Sequence, residues 1–478
     1  MDIEGWNVIG FHLQNQKGGT QVEHTTETYG TTSTSQAAGK AKTPYTPLRD
    51  VPQTSGFKAG DVLVVFGELF TRGYANGIVD EAERTGMKII RSTVGRRDAE
   101  GKLRALNDEE VAAQPKPFIN VPLEAGFDLE PCSQDGTSPS DQIKSVKMSE
   151  WENAKLDWAK VEDSRKRAVE RFRKNVATYM KELESHIPKG ANVLFAHTMA
   201  GGVPRAKILM PTMNRVFKGV GDRHMPSEQF WKSDLGRLSE MNFEEVTANT
   251  FQHLLDLSAP IRESVEKAGG QVRYVAYGYH GTEVMIQNTY QWQSYAPYVQ
   301  GWAKIELEEI AKRAWNKGVK ATVFNCPEIL TNSSSIFQGV EVPLYTLVGA
   351  LRKEGVNSSK TRDILERSKA LLKPEHSFEE MMKVTDEVLS SSPVKKQSIY
   401  DQWPQHNTRE QMEKLIAGSD QLIEMHKDQK QLMTFVLSEE IFRSTGYVMF
   451  HESWQPHGPV LWLGHDVLAK ALVSDKTL

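Results

Sequence analysis

Five short, almost continuous apolar segments most constrain how this chain can fold. They are residues 61–66, 87–91, 192–196, 271–276 and 320–324. Each has the pattern of a strand that is buried on both faces, rather than of a strand with one solvated face. Stretches with helical spacing separate the segments. Strands that alternate with helices predict a parallel sheet covered by helices on both sides.

The order of these elements predicts an α/β protein with a Rossmann-type, doubly wound parallel sheet. A charged, helical pattern then runs over residues 341–445. We expect this segment to be a helical insertion or cap before the last strand, which lies in either 446–450 or 460–463. In this interpretation residues 446–478 return to the sheet.

Composition excludes several classes of function. The net charge is −4 and the chain has two distant cysteines, Cys132 and Cys326, so neither a nucleic-acid partner nor a disulfide framework is expected. No apolar run approaches the ~20 residues that span a bilayer. The N-terminus lacks the features of a secretory signal, so we expect a cytoplasmic protein. His451, Glu452 and His457 do not have the spacing of helical metal ligands, and we predict no metal site.

A glycine-spaced turn follows the first predicted strand, with Gly67, Gly73 and Gly77 around Tyr74. Glycine allows the backbone to turn sharply and to approach a pyrophosphate, whose charge then meets a helix N-terminus. Because the turn lies between a buried strand and a helix, it predicts a dinucleotide site. A turn of the same shape with no ligand is the alternative.

Two arginines, Arg96 and Arg97, follow the second predicted strand, and no acidic residue stands at that strand's end before them. In dinucleotide folds an acidic residue at this place binds the ribose 2′-hydroxyl, whereas arginine suits a 2′-phosphate. The pattern slightly favours NADPH over NADH.

Lys304 ends the segment Gly-Trp-Ala-Lys, which opens a helical stretch. This segment resembles the active-site helix of the enoyl-acyl-carrier-protein reductases, a branch of the short-chain dehydrogenase/reductase superfamily. In that branch a catalytic Tyr precedes the Lys by seven residues, or by nine in a divergent form. Tyr295 lies nine residues before Lys304 and Tyr298 lies six before it, while Gln300 occupies the place of the Tyr in ordinary dehydrogenases.

Other stretches over residues 60–335 resemble the same family in the same order. His197 and Gly201 belong to a segment like the fourth-strand motif along the cofactor. Tyr279 stands where enoyl reductases place a second Tyr, at the end of the fifth strand. Pro327 and Thr331 belong to a segment like the one that ends beside the nicotinamide amide.

This resemblance implies an NAD(P)H-dependent reductase of a trans-2-enoyl thioester in fatty-acid synthesis. The cofactor residues would be Gly67, Gly73, Tyr74, Gly77, Arg96, Arg97, His197, Gly201, Lys304, Pro327 and Thr331. A Tyr among 279, 295 and 298 would stabilise the enolate, and Lys304 would hold the ribose hydroxyls and lower the pKa of that Tyr. The substrate could be carried by acyl carrier protein, and the family implies a homo-oligomer.

Two other functions stay open at the level of sequence. A 3-oxoacyl or other ketone reductase would share the fold, although Gln300 and Tyr279 speak against its usual motif. A dinucleotide-binding sensor or scaffold without turnover would explain the irregular Tyr-Lys spacing. The resulting domain prediction is an arm over 1–56, a catalytic domain over 57–340 with an inserted long helix within 98–190, and the two C-terminal segments above.

Overall fold

The computed structural model describes residues 43–71, 73–294, 299–331, 338–402 and 406–474. Its centre is a seven-stranded sheet in which every paired neighbour is parallel. Two short antiparallel hairpins stand beside the sheet. The predicted doubly wound α/β class is confirmed.

The strands have these bounds in chain order: β1 Val62–Phe66, β2 Lys88–Thr93, β3 Arg96–Arg97, β4 Leu103–Arg104, β5 Phe118–Pro122, β6 Val193–His197, β7 Val272–Gly278, β8 Thr282–Ile286, β9 Thr289–Gln293, β10 Ala321–Asn325 and β11 Val460–Trp462. The large sheet has the order β11-β10-β7-β6-β1-β2-β5. From β1 the chain adds β2 and β5 on one side, and β6, β7, β10 and β11 then follow on the other side. The direction in which strands are added therefore reverses between β1 and β6.

The helices have these bounds: α1 Ala75–Thr85, α2 Asp108–Ala112, α3 Pro139–Gln142, α4 Trp158–Glu184, α5 Leu209–Lys218, α6 Ser227–Lys232, α7 Asp234–Glu244, α8 Thr250–Leu257, α9 Ala259–Lys267, α10 Val299–Asn316, α11 Glu341–Leu344, α12 Leu347–Gly355, α13 Ser359–Leu371, α14 Phe378–Leu389, α15 Ser392–Lys395, α16 Arg409–Glu424, α17 Met433–Glu452 and α18 His465–Val473. A π-helical segment, Glu245–Asn249, joins α7 to α8. In the part of the chain that the structure describes, no helix is long and apolar enough to cross a membrane.

Strand β1 shows why its segment is apolar throughout. Leu63 and Val65 pack into one hydrophobic core, and Val62, Val64 and Phe66 pack into a second core on the opposite face. Successive side chains of a strand point to opposite faces. A strand covered on both faces therefore needs an apolar residue at every position.

The segment before residue 57 packs on the folded body from Thr43 onward. Pro47 pairs with Trp462 of β11, and the Leu48 amide donates to the Trp462 carbonyl at 2.9 Å. The last residues of the segment that we assigned to the arm thus extend the edge of the sheet.

The two alternatives for the last strand are now distinguished. Residues 460–462 form β11, which pairs with β10. Residues 446–450 instead lie in α17, a helix whose second half is buried around its whole circumference. A helix that is apolar on every side has no amphipathic period, so its sequence resembles a buried strand.

Helices α1 and α17 cross at two glycines. A Cβ on Gly77 would lie 2.0 Å from the Phe442 carbonyl oxygen, and a Cβ on Gly446 would lie 2.0 Å from the carbonyl carbon of Gly77. Both glycines are therefore required by the close approach of the two backbones. This crossing holds α1 against the C-terminal part of the chain.

We expect Gly446→Ala to lower the free energy of unfolding by about 1–3 kcal/mol, because an added methyl group there overpacks two backbones. The gain in helix propensity, at most about 1 kcal/mol, is too small to offset this. Thermal and urea unfolding of the purified variant would measure the change. Gly349→Ala in α12 is the control, since a Cβ there meets only the flexible side chains of Met285 and Met382. Equal stability of Gly446→Ala and the wild-type protein would contradict the prediction.

Candidate active site

The loops that follow β1, β6, β7 and β10 come together at the carboxyl edge of the sheet. The reversal of strand order between β1 and β6 opens a crevice at this edge. In open parallel sheets, ligands bind in the crevice at such a switch point. The sequence-predicted residues that the structure describes lie on these loops or at the starts of the helices that follow them, with Arg96 and Arg97 after the neighbouring strand β2.

The loop after β1 is shaped by its first glycine. Gly67 has φ +124°, and a Cβ there would lie 2.6 Å from Thr198 Oγ1, at the end of β6. The Gly67 amide donates to Ser92 Oγ at 3.1 Å, which ties the loop to β2. Gly73 differs, because a Cβ there would meet nothing within 4 Å. The backbone at Gly73 therefore borders open space, as a cofactor requires.

Helix α1 begins directly after this loop. Its N-cap residue, Tyr74, makes no side-chain capping bond, and its first turn has no acidic residue. Asn76 instead donates through Nδ2 to the carbonyls of Phe70 and Gly73, at 2.9 and 3.0 Å. The loop is thus held by its own helix, and the helix end stays free of negative side chains. Such an N-terminus favours a bound anion.

Lys304 is buried in the first part of α10, with 3% of its surface exposed. Its Nζ donates to the Tyr277 carbonyl and lies 4.7 Å from the centre of the Tyr279 ring. Burial lowers the pKa of Lys304 to about 7, while Cys326 has a smaller, opposite effect. A lysine on the exposed face of a helix shows none of these features, so Lys304 is not a surface residue of α10.

Three tyrosines form a stack beside this ammonium. The Tyr74 ring lies 5.9 Å from that of Tyr277 and 6.3 Å from that of Tyr279. Burial, with a contribution from Cys326, raises the pKa of both Tyr277 and Tyr279. The net shift of the Tyr279 pKa is therefore upward, opposite to the lowering expected from Lys304, because desolvation dominates. Tyr279 stays protonated and can donate a hydrogen bond.

His197 ends β6 and is neutral. Burial, with a smaller effect of Lys304, holds the pKa of His197 well below its usual value. Its Nε2 lies 2.8 Å from Thr250 Oγ1, and the Thr250 hydroxyl itself donates to the Val246 carbonyl. The Thr250 oxygen must then accept from Nε2, which leaves Nδ1 as an acceptor. The π-helical segment before α8 precedes Thr250, and π-bulges are frequent at functional sites.

A buried carboxylate, Glu308, organises the other side of Lys304. It lies one turn later on α10, 1% exposed, and accepts hydrogen bonds from His280 Nδ1 at 2.9 Å, Asn325 Nδ2 at 2.9 Å and Thr43 Oγ1 at 2.6 Å. The Asn325 side chain also accepts from the His280 amide at 2.8 Å. The sequence analysis missed this network. Its signal was the i, i+4 spacing from Lys304, which places both residues on one face of α10.

The arginines after β2 are both paired with carboxylates. Glu68 holds Arg96 with two bonds, of 2.9 Å to Nη1 and 2.6 Å to Nη2. Arg97 has no exposed side-chain surface and binds Glu124, which also receives Arg205. Burial lowers the pKa of Arg97 to about 10. The sequence pattern slightly favoured a 2′-phosphate as the partner of these arginines, but in this structure each guanidinium is paired with a carboxylate of the chain.

The remaining predicted residues divide into three groups. The Pro327 carbonyl accepts from the Tyr74 hydroxyl, so the loops after β1 and β10 are joined. Gly201 has φ +96° and borders open space, and Thr331 ends the described part of the loop after β10. Tyr295 and Tyr298 lie outside the described residues.

A dinucleotide fits this arrangement. Open space borders the backbone at Gly73 and Gly201. Two polar atoms in the site, His197 Nδ1 and Tyr277 Oη, are buried without a hydrogen-bond partner among the described residues. The Lys304 ammonium supplies a cation beside them. Among the described residues, no group of three His, Cys, Asp or Glu could hold a metal ion.

Comparison with known proteins agrees with this geometry. A profile described as enoyl-acyl carrier protein reductase FabMG matches residues 44–472. The chain is 48% identical to a solved apo structure of FabMG, over 91% of this chain and 99% of that chain, with a TM-score of 0.87. An NADH-bound FabMG structure is 42% identical over 90% and 98% of the two chains, with a TM-score of 0.72. No curated protein sequence matches significantly. The chain belongs to the FabMG family of enoyl-acyl carrier protein reductases.

Proposed function

We propose that this enoyl-acyl carrier protein reductase uses NADH to reduce the double bond of a trans-2-enoyl group carried as a thioester on acyl carrier protein. The observation that carries the proposal is the buried Lys304 ammonium, held between the Tyr277 carbonyl and the Tyr279 ring at the sheet's carboxyl edge. The NADH complex of a FabMG relative supports the choice of nucleotide. The family supports the carrier.

The chemistry divides between cofactor and protein. The nicotinamide, when bound, supplies a hydride to the β-carbon of the substrate. Negative charge then collects on the thioester oxygen, as an enolate, and a proton taken up from solvent at the α-carbon completes the saturated thioester. The Tyr279 hydroxyl, kept protonated by burial, donates a hydrogen bond where that charge develops. Lys304 would hold the ribose hydroxyls of the bound cofactor, and the amide end of α1 would hold its pyrophosphate.

The state of the two cysteines bears on the cellular compartment. Cys132 and Cys326 are both buried and neither forms a disulfide bond, which fits a reducing compartment. We therefore place the reaction in the cytoplasm, as the sequence predicts. The homo-oligomer that the resemblance implies stays a prediction.

We expect Lys304→Ala and Tyr279→Phe each to lower kcat by about 100-fold or more, the usual loss for a group that stabilises the transition state. Substrate-dependent loss of NADH absorbance with a medium-chain trans-2-enoyl thioester measures this. Tyr274→Phe is the matched control and should change kcat only a few-fold, because Tyr274 is also buried on β7 but its hydroxyl lies 2.8 Å from Ser258 Oγ rather than in the site. Tyr295→Phe and Tyr298→Phe complete the set.

An unchanged kcat in Tyr279→Phe, with a large loss in Tyr295→Phe or Tyr298→Phe, would contradict our assignment and support the spacing prediction. Binding of NADH without turnover of enoyl or 3-oxoacyl thioesters would favour the sensor. Reduction of the 3-oxoacyl thioester alone would favour the ketone reductase.

The depressed pKa of Lys304 predicts that NADH binding takes up a proton. With a pKa of about 7 in the free protein, Lys304 is largely neutral at about pH 8.5, and the anionic cofactor favours its charged form. Uptake should approach one proton at about pH 8.5 and fall towards zero below about pH 6, where Lys304 is already charged. Calorimetry in two buffers of different ionisation enthalpy measures it.

The control for this prediction is Lys353→Met. Lys353 also contacts a carbonyl, that of Asn288 at 3.2 Å, and lies 4.8 Å from the Tyr290 ring centre, but it is exposed and on α12. We expect Lys353→Met to keep the uptake and Lys304→Met to abolish it. The same uptake in Lys304→Met would show that another group titrates.

A further inference from the structure

The ends of β1 and β2 are bridged by one ion pair. Glu68 comes directly after Gly67 in the loop that follows β1, and Arg96 comes three residues after the end of β2. The guanidinium of Arg96 contacts both carboxylate oxygens of Glu68, at 2.9 and 2.6 Å. Both side chains are about one-fifth to one-quarter exposed, so the pair borders the crevice rather than the core.

Two further donors fix the carboxylate. Glu68 Oε2 accepts from the Thr93 hydroxyl at 2.9 Å and from the Val94 amide at 3.2 Å. The Thr93 oxygen in turn accepts from the Gly95 amide at 2.9 Å. The turn after β2 is therefore folded around Glu68. A carboxylate held by this many donors is pre-oriented.

The position of this ion pair suggests that it distinguishes between NADH and NADPH. In a doubly wound sheet the adenosine ribose lies beside the ends of the first two strands, where a carboxylate accepts a hydrogen bond from the 2′-hydroxyl. We propose that Glu68, held by Arg96, makes this enzyme select NADH over NADPH. The inference rests on the proposed use of a nicotinamide dinucleotide and adds which residue distinguishes the two.

The physical reason is charge. A 2′-phosphate at this place would face the Glu68 carboxylate at short range, and like charges in a partly dry site repel strongly. The 2′-phosphate could bind Arg96 only if the ion pair between Arg96 and Glu68 were broken. Arg97 offers no substitute, because its side chain is fully buried against Glu124.

The β3–β4 hairpin supplies no additional unpaired arginine for a 2′-phosphate. Arg104 of β4 lies opposite Arg96 of β3 but is held by Glu110, at 2.6 and 2.9 Å. The three arginines of this hairpin, Arg96, Arg97 and Arg104, are thus each matched by a carboxylate among the described residues. The 2′-phosphate of NADPH would therefore meet only guanidinium groups of this hairpin that are already paired with a carboxylate.

The test is direct binding of NADH and of NADPH, followed by quenching of protein fluorescence, to the full-length protein. We expect the wild-type protein to bind NADH at least ~10-fold more tightly, about 1.4 kcal/mol. Glu68→Gln keeps the size of the side chain and removes its charge, so this preference should fall by ~10-fold or more through tighter NADPH binding. Glu68→Asp, which keeps the charge, should still prefer NADH.

Two further variants identify the cause. Adding Arg96→Met to Glu68→Gln should remove the gain in NADPH binding, because the released guanidinium is what binds the 2′-phosphate. Glu379→Gln is the control: Glu379 pairs with Arg352 at 2.8 Å, far along the chain on α14, and its loss should leave the preference unchanged.

Each outcome has a distinct meaning. An unchanged NADH preference in Glu68→Gln, or a wild-type protein that binds NADPH as tightly as NADH, overturns this inference and leaves the proposed reductase standing. Binding of neither nucleotide to the wild-type protein overturns the proposed function and this inference with it. NADH binding that survives in Glu68→Gln also shows that the variant is folded.

Discussion

The buried carboxylate of Glu308 is the interaction on which the geometry of the site depends. An ionised carboxylate in a protein interior costs several kcal/mol unless donors replace the water that it loses. Here His280, Asn325 and Thr43 are those donors, and hydrogen bonding to them helps hold the pKa of Glu308 below its usual value despite burial. Removing one donor would leave part of the charge unmatched, so the network forms as a unit.

Each donor belongs to a different part of the chain. His280 follows β7, Asn325 ends β10 and Thr43 comes from the segment before the first strand, while Glu308 itself lies on α10. The network therefore fixes one helix against two strand ends. Lys304 lies one turn earlier on that helix, and Tyr279 is the neighbour of His280. The network thus helps to set the distance between the Lys304 ammonium and the Tyr279 ring.

Sequence patterns predicted the sheet well and the site less completely. Strands β1, β2, β6, β7 and β10 lie within two residues of their predicted bounds, because burial on both faces leaves an apolar run that needs no tertiary information. The family was also predicted correctly, since its motifs depend on local order along the chain, while the roles of the glycine turn and of Lys304 stay predictions. The apolar run at 446–450 was ambiguous because a fully buried helix and a buried strand have the same composition.

The missing part of the prediction concerned partners far apart in sequence. Arg96 and Arg97 were taken to suit a 2′-phosphate because no acidic residue stands at the end of the strand before them. Their carboxylate partners, Glu68 and Glu124, lie on other loops. These loops contact the arginines only because the folded sheet places them side by side. The same holds for Glu308. Which ion pair forms at a strand end depends on strand order, which a local pattern does not contain.

These ion pairs make the two sides of the crevice differ in charge, and this difference explains how an anionic cofactor would bind. At the β2 side, the arginines are neutralised by carboxylates of the chain itself. At the α10 side, the pKa of Lys304 responds to burial and to Cys326, with no contribution from any carboxylate of the described residues. A buried amine without a counter-charge loses its proton readily. The charge that would restore it must come with the ligand, so binding of the dinucleotide and charging of Lys304 are one coupled event.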